Sequence, residues 1–328
     1  MKIKKLSYLT VDWALDYAKL FPVIQPVIVE IGFGNADYLI HLGQTYPDHN
    51  IIGLEIAAQS MDKAERKIVT ANLTNVRPIH ATGETALAHF FEPESIQAFY
   101  INYPDPWFKN KHSHRRLIKR ETVDMLTSRL VMGGTIMLAT DIVEYAEMAH
   151  EILSETPGLI NTLDTAWVAD LEGRFRTKYE MKGYREGRSG HFFIYRRNDT
   201  PVNHPPVIKD IEMPHLFLRT PLDVETIVAN FRQSRRTLNG VHVAMLRAYA
   251  NKDTHSAVFE VVVEEDTIDQ HTMLVLSPRE GSDEYVIQMT TIGHARPTYG
   301  MHRAVQVVGE WVASIHEDAH ITETKLRE

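Results

Sequence analysis

Two glycines and two carboxylates are the first residues with chemistry to offer. The segment VIVEIGFGNAD sets Gly32 and Gly34 directly after a β-forming run and ahead of a helical pattern. In such a turn the missing side chains let a ligand approach the backbone. Glu55 ends the next apolar run, about 20 residues on, where a carboxylate can accept hydrogen bonds from both hydroxyls of an adenosyl ribose. The pattern is G-x-G-x-A, and Asp37 stands where the dinucleotide fingerprint requires a third glycine. Glu30, at the end of the first run, suits the positive ammonium end of S-adenosylmethionine and would repel a pyrophosphate, which favours the methyl donor over NAD. The plain alternatives are a tight turn without a ligand and a Glu55 that caps a helix or is merely solvated.

A second group follows the fourth strand-like run, in YINYPDPWFKNKHSHRR at 100–116. Asp105 lies between Pro104 and Pro106, whose rings fix the local backbone. From Pro106 to Arg120 the chain carries Lys109, Lys111, Arg115, Arg116, Lys119 and Arg120, with His112 and His114, and no acidic residue. A further basic stretch, GRFRTKYEMKGYREGR, holds Arg174, Arg176, Lys178, Lys182, Arg185 and Arg188 against two glutamates. An isolated basic run is usually only solvated, whereas two runs flanking one site suit the phosphates on either side of a nucleobase. Trp107 either stacks on a base or packs on the core. His112 and His114 have no third ligand at suitable spacing, so no metal is expected.

These residues need a scaffold, and the apolar pattern supplies one. VIVEI, NIIGLEI, NVRPIH, IQAFYINY and TIMLAT read as short buried strands, alternating with helical stretches near 36–46, 57–71, 83–91 and 115–130. Such alternation implies a parallel sheet covered on both faces. Residues 10–21 read as an amphipathic helix capped by Thr10, and GHFFIYRR at 190–197 as a late edge strand. At 198–214 four prolines interrupt regular structure. The expected division is therefore a first domain at 1–198, a Pro-rich linker at 199–214 and an α+β accessory domain at 215–328. In the last, a helix runs from Asp223 to about 234, four strand-like runs follow, and a helix at about 300–318 closes the pattern. Arg232, Arg235 and Arg236 would favour the C-terminal end of the first of these helices.

The charge distribution limits the partners. The 328 residues carry a net charge of −8, so any nucleic-acid contact must be local. Residues 201–328 contain 12 Lys and Arg against 18 Asp and Glu, which argues against an independent RNA-binding module there. There are no cysteines, which excludes disulfides, Cys-based zinc sites and thiol catalysis. The basic start is not followed by an apolar run, so neither a signal peptide nor a membrane span is expected, and the cytoplasm is the expected location.

Pro104-Asp105-Pro106-Trp107, then His112 and Arg115-Arg116, resemble the signature of the TrmB-type tRNA (guanine-N7)-methyltransferases. Thr140-Asp141 and Thr177-x-Tyr179-Glu180 match it in order and spacing, as do EIGFG and GLEI. The resemblance covers about 10–197. It implies a seven-stranded, Rossmann-like class I methyltransferase fold and methylation of guanine N7 in tRNA, usually at position 46 of the variable loop. It places Asp105, Asp141, Thr177 and Glu180 in catalysis. Lys109, His112, Arg115, Asp141, Thr177 and Glu180 fall to the substrate, and Glu30, Gly32, Gly34, Glu55 and Thr82 to S-adenosylmethionine. Ala36 replaces a frequent glycine, and Thr82, followed by Gly83 and Glu84, replaces a frequent aspartate that contacts adenine.

On that reading Asp105 pairs with guanine N1–H and the exocyclic amine, because an acceptor-only carboxylate matches two adjacent donors. Replacing Asp105 or Glu180 by Ala is then expected to remove turnover and leave the fold intact. The alternatives are a methyltransferase on another RNA or a small molecule, and a non-catalytic RNA-binding protein on the same fold. For residues 201–328, homodimerisation and bracing of the first domain stand equal.

Overall fold

The computed structural model describes residues 6–107, 115–209 and 211–327. They form two compact units, 1–209 and 210–328.

The first unit runs α1 (Tyr17–Leu20), β1 (Val27–Ile31), α2 (Asp37–Thr45), β2 (Asn50–Glu55), α3 (Ala58–Thr70), β3 (Val76–His80), α4 (Gly83–His89) and β4 (Ile96–Asn102). It continues with α5 (Arg120–Arg129), β5 (Leu130–Thr140), α6 (Val143–Ser154), β6 (Leu159–Asn161), α7 (Lys178–Arg185) and β7 (His191–Arg197). The seven strands lie in the order β3-β2-β1-β4-β5-β7-β6. The first five are parallel, and β7 runs antiparallel to β5 and β6. This is the class I methyltransferase arrangement.

The central strands are apolar because both faces are covered. All of β1 is buried, with Val29 and Ile31 in one core and Ile28 in another that includes Leu39 and Leu42 of α2. Chain order reverses beside β1, between β2 and β4, so the C-terminal ends of β1 and β4 border the crevice where open α/β sheets bind ligands. Pro78 is tolerated in β3 because that strand lies at the sheet edge.

Three local expectations change. Only Tyr17–Leu20 of the helix expected at 10–21 is helical, and Asp16 caps it by accepting from Ala18 N (3.1 Å). Val11 and Leu15 are buried, but Leu15 gives its N–H to Phe90 O (3.0 Å), so apolar spacing here serves an irregular segment. β7 is not an edge strand, since β6 pairs along its outer side. The prolines of 199–214 do not exclude packing: Arg129 donates to Pro205 O (2.7 Å), and Ile208 N donates to Ala88 O (2.9 Å).

The second unit contains β8 (His215–Arg219), α8 (Val224–Ala229), β9 (Ser234–Leu238), β10 (Val241–Asn251), β11 (Ser256–Glu264), β12 (Asp269–Pro278), β13 (Tyr285–Met289), α9 (Tyr299–Ala313) and β14 (His320–Lys325). Its antiparallel order is β14-β8-β13-β12-β11-β10-β9, and Val305 and Val308 of α9 share a core with Phe259 and Val261 of β11. The helix expected to reach 234 stops at Ala229, which places Arg235 and Arg236 on β9, opposite Ala244 and Val243 of β10. The turn between these strands is Asn239-Gly240, both at positive φ, the backbone of a tight hairpin. Arg236 therefore pairs with Glu310 (2.7 Å) and has no helix end to favour. Among the described residues no helix is long and apolar enough to cross a membrane.

Candidate functional site

The glycine turn is held from three sides. Gly32 N and Phe33 N donate to Leu54 O (2.8 and 3.3 Å), Gly34 N donates to Glu55 Oε2 (2.9 Å), and Lys67 donates to Asn35 O (2.6 Å) and pairs with Asp37. Gly32 and Gly34 have φ of +74° and +53°, and a Cβ on either would meet none of the described residues within 4 Å. The turn thus presents bare backbone to open space. Ala36 takes φ +65° at the head of α2, a conformation in which glycine would be unstrained.

Glu55 is more occupied than expected. Its Oε1 accepts from Ile56 N (2.8 Å) and Ala57 N (3.0 Å), and Oε2 accepts from Gly34 N. With about two lone-pair sites per oxygen, this leaves one position for a ribose hydroxyl, not two. Thr82 caps α4: its hydroxyl accepts from Thr85 N (3.1 Å) and donates to Thr85 Oγ1 (2.9 Å), so its local role is structural.

Glu30 is 1% exposed. Its Oε1 accepts from Asn102 Nδ2 (3.2 Å), and Oε2 is buried with no hydrogen-bond partner among the described residues. Burial pushes its carboxyl up to about 8, the Asn102 bond and Arg174 partly oppose this, and Glu55 adds to it. A cation brought to Oε2 would restore the ionised form. The residues therefore fit S-adenosylmethionine: an unpartnered carboxylate oxygen for the ammonium, a bare turn beside it, and Glu55 for the ribose.

A buried polar chain leads on from Glu30. Arg174 donates to Asn102 Oδ1 (2.6 Å) and to Glu180 Oε1. Glu180 Oε2 accepts from Thr177 N (3.0 Å), while Glu180 N donates to Thr177 Oγ1 (3.2 Å). These two bonds are a capping box at the start of α7.

Glu180 also borders a small cleft with Tyr103, Asp141, Tyr179, Tyr184 and Arg188. Asp141 Oδ2 accepts from Tyr179 OH (3.2 Å) and Arg188, and the rings of Tyr103 and Tyr179 lie 4.9 Å apart, tilted.

The structure thus brings Glu30, Gly34 and Glu55 together, and places Asp141 with Glu180. Thr177 caps the helix and does not line the cleft. Asp105 is exposed on the loop after β4 and does not line it either. Arg115 is exposed, its guanidinium 5.2 Å from the Trp107 ring. Lys109 and His112 lie outside the described residues. Several of the expected phosphate cations are engaged internally. Arg116 donates to Pro106 O (3.0 Å) and Trp107 O (3.2 Å), Arg120 pairs with Glu155 (2.5 Å), and Arg176 pairs with Asp170 (2.5 Å). Arg174, counted among them from sequence, is buried. Asn102 carries no motif and becomes visible only in the fold, although a polar residue ending an apolar strand is a signal of its kind.

Residues 24–192 match a family model described as a putative methyltransferase. The tRNA (guanine-N(7)-)-methyltransferase of Nitrosospira multiformis is 36% identical over 183 residues, 56% of this chain and 80% of that protein. The corresponding protein of Syntrophotalea carbinolica is 32% identical over 183 residues, 56% of this chain and 79% of its own length. The crystal structure of the 16S rRNA methyltransferase KamB covers 56% of this chain and 92% of its own, with a TM-score of 0.42 and 13% identity.

Proposed function

The chain belongs to the TrmB-type tRNA (guanine-N7)-methyltransferase family, and from that premise we propose that it transfers the methyl group of S-adenosylmethionine to N7 of guanine in tRNA, at position 46 of the variable loop. The observation that carries the cofactor reading is Glu30, a buried carboxylate with one unpartnered oxygen beside a bare glycine turn. When bound, the cofactor supplies an electrophilic methyl group on a sulfonium.

Guanine N7 has a free in-plane lone pair, so the reaction needs no proton removed and no strong general base; positioning can supply most of the rate. Positive charge moves onto the purine, and Asp141, whose Oδ2 is held by Tyr179 and Arg188, is assigned to stabilise it, while Glu180, paired with Arg174 and Thr177, is assigned to hold α7 at the cleft. Asp105, fixed between two prolines and exposed, is assigned to the N1–H and exocyclic amine of guanine, donors that adenine does not present together. The exposed cations Lys178 and Arg185 on α7, with Arg115, are assigned to phosphates.

The test is direct. The protein is incubated with labelled methyl donor and tRNA transcripts carrying G or A at the variable-loop position, and borohydride and aniline scission locates 7-methylguanosine. Label in the G transcript alone, cut at that position, is the expected result. Equal label in both transcripts, or cleavage elsewhere, defeats the assignment to position 46.

A further inference from the structure

We propose that Arg174 is a positioning residue that locks the donor end of the site, at Glu30, to the substrate end, at Glu180 and α7. The proposal rests on the reading of Glu30 given above.

A solvent-facing phosphate contact is excluded for Arg174 as it stands, because its side chain is 7% exposed. The guanidinium carbon lies 5.1 Å from the Tyr38 ring and 4.8 Å from the Phe192 ring, so α2 and β7 fix the plane of the fork. One arm meets Asn102 Oδ1 and another meets Glu180 Oε1.

The consequence is chemical. An asparagine amide can present either its oxygen or its nitrogen, and Arg174 has only donors to offer. Asn102 must therefore turn Oδ1 to Arg174, which leaves Nδ2 for Glu30 (3.2 Å). Without Arg174 the amide is free to flip and set its oxygen against the carboxylate. Glu30 would also lose the cation that opposes its burial. Among the described residues the charged and titratable groups facing Glu30 are Arg174, Glu55 of β2 and Tyr38 of α2, so none of these offers a second cation. Lysine is a poor substitute, since it has no planar fork to hold two partners between two rings.

The same arginine fixes α7. Its pair with Glu180 Oε1 orients the carboxylate whose other oxygen closes the capping box on Thr177. The two ends of the site thus share one buried side chain.

The experiment compares the full chain with Arg174→Gln, Arg174→Lys and the double variant Arg174→Gln/Glu180→Gln, which, if the single variant folds poorly, removes the Glu180 carboxylate that Arg174→Gln leaves buried without its cation. Binding of S-adenosylhomocysteine, which carries the same ammonium, is followed by calorimetry across roughly pH 6–9, a range that brackets the Glu30 carboxyl. Loss of Arg174 is expected to move the pH below which binding weakens upward by about one unit and to lower affinity at neutral pH about tenfold. The slope of tRNA affinity against salt is expected to stay unchanged. An unaltered pH profile overturns the proposal, as does a salt slope shallower by about one, which would make Arg174 a phosphate contact. Should the parent protein not bind S-adenosylhomocysteine, the donor reading falls by itself. The Arg174–Glu30 link is then judged on stability, from whether Arg174→Gln shifts the pH-dependent difference between the parent and Glu30→Gln; no shift sinks it.

Discussion

Glu55 Oε2 accepts the N–H of Gly34 at 2.9 Å, so the carboxylate ending β2 pins the turn that follows β1. One side chain therefore shapes the bare turn and offers its remaining lone pair to a ligand. Glu55→Ala removes three acceptor contacts at a partly exposed site, with an expected stability loss of roughly 1–3 kcal/mol. Donor affinity should fall more than ~30-fold, combining the lost ligand bond with a loosened turn. Calorimetric titration beside a urea melt separates the two, and unchanged affinity would remove Glu55 from the donor site.

Glu30 predicts a pH dependence of stability. Its folded value of about 8 lies above the ordinary 4.5, so the folded state holds the extra proton between these limits. Its contribution is full below the lower value and is lost as pH rises through the upper one. Glu30→Gln should match the parent near pH 4.5 and exceed it above pH 8, by several kcal/mol at most, since each tenfold change in proton affinity is worth about 1.4 kcal/mol. Chemical denaturation at the two pH values checks this; parallel behaviour would mean that Glu30 does not titrate as a buried acid.

Gly34→Ala separates backbone strain from ligand access. The residue sits at φ +53° with open space beside it, so the folding cost should be only about 1–2 kcal/mol. The new methyl enters the space assigned to the donor, and S-adenosylhomocysteine affinity should drop at least ~10-fold. Full affinity in the variant would place the ligand elsewhere.

Asp105 and Glu180 should now behave differently, although sequence reasoning groups them. Asp105→Ala, at an exposed loop position, should leave the melting temperature unchanged and lower kcat/KM for tRNA by ~100-fold or more. Glu180→Ala strips the buried Arg174 of its carboxylate and should cost about 3–5 kcal/mol. Thermal melts of both variants decide it; a Glu180→Ala protein as stable as its parent contradicts the buried pair.

Exposed cations on α7 should report as phosphate contacts. Lys178→Ala and Arg185→Ala are each expected to make the logarithmic salt slope of tRNA affinity shallower by about one. Arg176→Ala should alter it less, because Asp170 already pairs with that guanidinium at 2.5 Å. Filter binding over a salt series measures these slopes, and no change for either α7 residue would move the RNA path away from that helix.

Patterns that are local in the chain were fixed by sequence: the apolar runs of β1 to β5, the glycine turn after β1, the acidic end of β2 and the proline-flanked Asp105. Each follows from neighbouring residues, because strand periodicity, turn conformation and proline restriction act over a few positions. The partners of charged side chains were decided only by tertiary structure. Arg174 reads as one more cation in a basic stretch until Tyr38, Asn102 and Phe192, from α2, β4 and β7, close around it. Glu180 reads as an open carboxylate until folding turns it into a helix cap and an arginine partner. Spacing gives a charge its place in the chain, but whether it meets solvent, substrate or another charge depends on groups brought from distant positions, and the low-polarity interior makes that choice costly to reverse.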